Sequence, residues 1–229
     1  MDRSTQTPSD EARPETARGA GRAGALAVSI LLLVVALPGA VRNAYLDIAE
    51  CSGPSMEPTL REGDAVVVDR TADGAHSPLD GRVLARWALP EAGDVVVALG
   101  PASEGLVVKR VIGLPGDLVE IVDDVVIRNG VPLERRPIDC DWSRTGEVCV
   151  EERLGTRRWR TLRSAGAPLE THAPIEVPAG FVYVLGDHRD ASYDSRGERV
   201  GLVPLERVAG RVRFLLTSAF AGRAPGSVE

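Results

Sequence analysis

The longest uninterrupted apolar run is residues 23–41, AGALAVSILLLVVALPGAV, with no charged side chain over nineteen positions. As a helix, that length just spans a hydrocarbon core. Beyond it the pattern breaks into short Val-rich segments: DAVVVD (64–69), DVVVAL (94–99), LVVKRVIG (106–113), DLVEIV (117–122), VVIRNG (125–130), FVYVLG (181–186) and RVAGRVRFLL (207–216). Segments of this length and composition predict strands. The pairs Gly63-Asp64, Gly93-Asp94, Gly116-Asp117, Asn129-Gly130 and Gly186-Asp187 punctuate them. Such pairs predict turns. No long stretch of helical period follows residue 42. The expected fold class is therefore mainly β, with coiled antiparallel or barrel-like sheets behind one N-terminal transmembrane helix.

Polar segments divide the rest. Residues 1–22 hold almost no large apolar side chain, and their acids and arginines cancel, which predicts a disordered cytoplasmic tail. Arg18 and Arg22 precede the apolar run and Arg42 follows it, with acids soon after. This slight basic bias places the N-terminus on the cytoplasmic side and residues 42–229 outside the membrane. A cleaved leader is the rival reading, but a cut after Ala40 would put Pro38 at the −3 position. A retained anchor is expected. Residues 134–176, rich in Arg, Glu, Pro and Thr, read as an insertion or cap on the β-rich domain, and 70–82 as a smaller irregular stretch.

The formal charge of −6 excludes the usual nucleic-acid binder, which is basic. Of three cysteines, Cys140 and Cys149 flank a polar loop. Outside the cytoplasm they are expected to form a disulfide; in a reducing compartment they are two separate thiols. Cys51 has no expected catalytic role. No CxxC or Cys/His cluster is present, so neither a metal nor a cofactor is expected.

The candidate chemistry starts at CSGPSMEPTL (51–60), where Ser55 lies fourteen residues past the apolar run. A serine hydroxyl is a weak nucleophile and needs a base. His76, His172 and His188 all lie in polar segments and read as surface residues. No GxSxG elbow supports a Ser-His-Asp triad, although triad members need not be near in sequence. The alternative base is lysine, and of 27 basic residues Lys109 is the single lysine. Arginine does not act as a base near neutral pH, whereas a buried lysine does. Lys109 sits in LVVKRVI, where strand alternation puts it on one face with Val107 and Val111. Alternation alone equally allows a strand lysine with its ammonium in water.

SGPSMEPTL, then VVKRVIGLPGD, then LGDHRDASYDSRGERVGLVP resemble, in order and over residues 53–204, the bacterial type I signal peptidases. These are membrane-anchored Ser/Lys endopeptidases whose fold is shared with self-cleaving, LexA-like proteases. The resemblance implies Ser55 as nucleophile, with its own backbone N–H holding the oxyanion, and Lys109 as general base. It implies Ser192 as the hydroxyl that orients the lysine, and Arg110, Asp187, Asp194 and Arg196 as charged braces, with Arg110 paired to one of the acids. Gly93-Asp94 matches a strand motif lining the substrate groove. Two positions depart from common members. Gly53 stands where some carry a serine that helps hold the oxyanion, and is expected to permit close chain approach. His188 stands where asparagine is common.

The resemblance further implies preprotein signal peptides as substrates, cut after small-x-small sites, near the export translocase and membrane lipid, with no nucleic acid. The fourteen residues from Val41 to Ser55 reach at most about 45–50 Å when extended, which tethers the serine close to the bilayer. Met56, Leu60 and the Trp87-Ala88-Leu89 stretch are candidates either for lipid contact or for the core. A substrate extended as an added strand would expose its scissile carbonyl. The competing readings are a dedicated Ser/Lys processing peptidase with one client, of the conjugation or pilus type, and an inactive membrane-tethered relative.

Overall fold

The computed structural model describes residues 45–77, 83–100, 105–140, 146–218 and 224–228. The predicted tail (1–22) and anchor (23–41) lie outside these residues. Among the described residues, no helix is long and apolar enough to cross a membrane.

The first half of the domain contains β1 (Leu46–Glu50), β2 (Ala65–Asp69), β3 (Gly74–His76), β4 (Val83–Arg86), β5 (Val95–Leu99), β6 (Leu106–Gly113), β7 (Leu118–Val122) and β8 (Val125–Arg128). There follow β9 (Val131–Pro132), β10 (Glu134–Ile138), β11 (Glu147–Leu154), β12 (Arg157–Ser164) and β13 (His172–Glu176). The chain ends with β14 (Phe181–Leu185), β15 (Val203–Pro204), β16 (Val208–Thr217) and β17 (Gly226–Ser227). The largest sheet runs β1-β2-β16-β5-β6-β14-β15, with β17 on β16. Smaller sheets are β13-β7-β8-β9, β10-β11-β12 and the β3-β4 pair. Adjacent strands pair antiparallel throughout these sheets.

All seven Val-rich runs are strands, because each can bury one or both faces. Val95 and Val97 enter one core cluster with Met56, Leu60, Val66 and Val212, while Val96 and Ala98 enter another with Val111, Val182 and Val184. β14 alternates likewise: Val182 and Val184 face that second cluster, Tyr183 and Leu185 a third with Ile112, Val119 and Trp159. This is period-two alternation in strands covered on both sides. Burying one such valine stabilises by roughly 1.5–3 kcal/mol.

Within the 134–176 stretch, Glu134–Ile138, Glu147–Leu154 and Arg157–Ser164 form the β10-β11-β12 sheet. Arg and Glu alternate across it, as in Arg136 opposite Glu151 and Glu151 opposite Arg160. Charge pairing across strands hides the usual apolar signal. Its inner side chains are few but large, above all Trp159 and Leu162, at 3 % and 1 % exposure. Cys140 and Cys149 are joined by a disulfide, with Cα atoms 6.0 Å apart.

Two of the three histidines are not at the surface. His76 points inward from β3 and His188 is buried beside the 51–60 turn, whereas His172 is partly exposed. Met56 and Leu60 are core residues rather than lipid contacts, while Trp87 and Leu89 are exposed.

Candidate active site

The 51–60 segment is a compact turn rather than a loose loop. The Cys51 N–H donates to the Asp64 carbonyl and the Gly63 N–H to the Cys51 carbonyl, both at 2.8 Å, which ties the segment to the start of β2. The Glu57 N–H reaches the Pro54 carbonyl at 2.9 Å, and Leu60 N–H the Met56 carbonyl at 2.9 Å. Cys51, Met56 and Leu60 sink into the core and hold Ser55 up beside β6. Gly53 has φ +94°, and a Cβ built there would meet nothing within 4 Å. The glycine suits this backbone conformation, which L side chains rarely adopt.

Lys109 is 5 % exposed on β6, opposite Val96 of β5. Its Nζ lies 2.7 Å from Ser55 Oγ and donates to the Val108 carbonyl at 2.9 Å. The chain's single lysine thus meets the serine across 54 residues of sequence.

Ser192 also arrives at this place, but without the expected contact. Its Oγ is buried and makes no hydrogen bond, so in this structure it does not bind Lys109. It lies against Gly186, where any Cβ would collide with the Ser192 hydroxyl and the Ser55 carbonyl. Gly186 is needed for this close approach.

The charged residues form two separate braces. Arg110, on β6 next to Lys109, donates from Nε to Asp187 Oδ1 at 2.8 Å and from NH2 to Asp187 Oδ2 at 2.7 Å. Its NH1 binds the Gly93 carbonyl at 2.7 Å and its guanidinium lies 5.0 Å from the Trp159 ring centroid. Both partners of this pair are 1 % exposed. Thr59 of the 51–60 turn donates its hydroxyl to Asp187 and accepts from Arg110 at 3.2 Å. One buried ion pair therefore links the Ser55 turn, β6 and the segment after β14. The second brace is Asp194 with Arg196, Nε to Oδ1 and NH2 to Oδ2 both at 2.8 Å, while Asp194 Oδ2 accepts the Gly186 N–H at 3.0 Å. Burial alone would raise the Asp194 carboxyl, but the hydrogen bonds and charge of Arg196 hold it below the ordinary carboxylate range.

Thr59, Trp159 and the Gly93 carbonyl were not singled out from the sequence. Thr59 does stand inside SMEPTL, four residues after Ser55, which was a usable signal; nothing local marks Trp159. Gly93 and Asp94 line a cavity of about 790 Å³ with Arg157, Trp159 and Phe214, and its lining includes neither Ser55 nor Lys109. Asp94 is held by Arg157 at 2.7 Å and by Arg211 at 2.9 Å. Among the described residues no group of three or more His, Cys, Asp or Glu side chains could hold a metal ion.

Comparison with known proteins decides the family. Residues 24–217 match the family described as signal peptidase, peptidase S26. The chain belongs to that family. It is 30 % identical over 189 residues to signal peptidase I of Bacillus licheniformis, covering 82 % of this chain and 86 % of that one. It is 34 % identical over 182 residues to signal peptidase I of Rickettsia prowazekii, covering 70 % and 68 %. A solved structure of signal peptidase I from Enterococcus faecalis aligns with 28 % identity and a TM-score of 0.33, over 54 % of this chain and 96 % of that one. The chain is thus a hydrolase of the signal peptidase I type, a peptidase that acts on signal peptides.

Proposed function

We propose that the protein cleaves signal peptides from exported preproteins through a Ser55/Lys109 dyad. The observation that carries this reading is the 2.7 Å separation of Lys109 Nζ and Ser55 Oγ inside a buried strand environment. Lys109 in its neutral form accepts the Ser55 proton as Oγ attacks the scissile carbonyl carbon. The protonated amine then passes that proton to the leaving amine of the mature chain, and an ester joins Ser55 to the signal peptide. A water, deprotonated by the again neutral Lys109, hydrolyses the ester. Burial disfavours an ammonium more than a free amine, which suits this role. The Ser55 backbone N–H serves the oxyanion, since Gly53 carries no hydroxyl. Ser192, lodged against Gly186 with its Oγ unbonded, orients Lys109 once substrate excludes water.

The anchor at 23–41 holds the domain outside the cytoplasmic membrane, where signal sequences emerge near the translocase. The exposed Trp87 and Leu89 suit contact with lipid. Cleavage follows small-x-small sites presented as an extended strand.

The test compares wild type, Ser55→Ala and Lys109→Ala on a panel of unrelated preproteins at neutral pH. Both variants are expected to lose cleavage by several orders of magnitude. Near-normal cleavage by Lys109→Ala overturns the dyad. Cleavage of one preprotein in the panel and no other supports the single-client reading, and no cleavage by wild type supports the inactive one.

A further inference from the structure

His188 takes no part in the chemistry above, yet it is 6 % exposed and sits between two carboxylates from different segments. Its Nδ1 lies 3.8 Å from Glu57 Oε2, and Glu57 belongs to the nucleophile turn, two residues after Ser55. Its Nε2 lies 3.5 Å from Asp190 Oδ1. Both separations are too long for a hydrogen bond, and Nδ1 makes none. They are contact distances that place the ring between the two carboxylates. The His188 backbone is fixed on both sides: its N–H donates to the Ser55 carbonyl at 3.1 Å, and it forms a parallel bridge with Leu162.

The neighbouring charges are already engaged. Asp187 binds Arg110, and Arg189 binds Glu152. Asp190 accepts the Ser164 N–H at 2.9 Å, which fixes it to the end of β12. From the elements packed around the imidazole, the turn presents Glu57, its own segment presents Asp190, and β12 presents the apolar Leu162. A rigid carboxylate therefore stands on one side of His188 and the nucleophile turn on the other.

We infer that His188 is a positioning residue: seated between Asp190 and Glu57, with its N–H on the Ser55 carbonyl, it holds the Ser55 turn against the segment that carries Ser192. This rests on Ser55 being the nucleophile. It acts on kcat rather than on substrate binding, because it sets where Oγ sits relative to Lys109 and not what the groove recognises.

The experiment is a double-mutant cycle with His188→Asn and Glu57→Gln in the full-length protein in detergent, read as kcat and KM on one preprotein. Each single variant is expected to lose about tenfold in kcat with KM unchanged, and the double variant to lose no more than either. Additive losses, or effects confined to KM, each overturn the inference. If His188→Asn fails to fold, Glu57→Gln alone decides, since unchanged kcat is then sufficient to reject it. Ser55→Ala run in parallel separates the two levels: cleavage retained there sinks the nucleophile assignment, whereas an additive cycle with an inactive Ser55→Ala sinks only the role of His188.

Discussion

Replacing Asp187 with alanine tests whether the buried Arg110 pair holds the site together. In the wild type Arg110 gives two hydrogen bonds to Asp187, one to the Gly93 carbonyl and one to Thr59, with both charges 1 % exposed. Removing Asp187 leaves a guanidinium inside the domain with only neutral acceptors, and it also removes the acceptor of the Thr59 hydroxyl. Breaking one partner of such a pair costs about 3–5 kcal/mol, because the remaining charge is left desolvated. For a chain of this size each kcal/mol corresponds to about 2–4 °C, so Tm should fall by about 6–20 °C. The assay is thermal unfolding in detergent followed by tryptophan fluorescence, with Trp159 packed over Arg110 as an internal reporter. Replacing both partners, Arg110→Met with Asp187→Leu, should recover much of the loss, since an apolar pair leaves no charge unpaired. A Tm within 2–3 °C of wild type for Asp187→Ala, under about 1 kcal/mol by the same conversion, would refute the reasoning. It would mean that water reaches Arg110 or that the turn relaxes around it.

Other outcomes follow from the same geometry. Gly53→Ser, although it restores the hydroxyl some relatives carry, should lose about 1–2 kcal/mol of stability, because φ +94° strains any L side chain; a variant as stable as wild type would contradict this. Asp194 contributes stability that is fully present above its unfolded pKa of about 3.9 and is lost as pH falls through its lower folded value. Denaturant titrations of Asp194→Asn should therefore show a shallower loss of stability below about pH 4 than wild type, and parallel curves would count against the Arg196 brace. Ser192→Ala should lower kcat more than it raises KM and should not lower Tm, since the hydroxyl has no hydrogen bond to lose. Chelators should leave cleavage intact, because Ser/Lys acyl transfer needs no metal; strong inhibition by a chelator would reject the proposed chemistry.

Much of the fold could be read locally. Seven Val-rich runs became strands because β-branched residues in short runs suit a pleated, buried surface wherever it lies. Gly63, Gly93, Gly116 and Gly130 take the positive φ that their turns require. The β10-β11-β12 sheet escaped this reading because its strands are stabilised by charges facing each other across the ladder, and one strand alone does not reveal its neighbour. His76 and His188 escaped it for a related reason: flanking polar residues suggest exposure, while the segments that cover them come from elsewhere in the chain.

By itself the sequence determined the candidate chemistry of this protein. One lysine among the basic residues, a serine in SGPSMEPTL and the ordered motifs behind them pointed, through the family they resemble, to a candidate nucleophile and a candidate base, because motif residues are read off the chain itself. Only the tertiary structure decided the spatial relations. It set Lys109 at 2.7 Å from Ser55 and gave Arg110 to Asp187 while Arg196 took Asp194. It left Ser192 Oγ unbonded and enclosed His188 between Glu57 and Asp190. These relations join residues up to 130 or so positions apart, and such separations are fixed by strand pairing and core packing, which act through space and not along the chain.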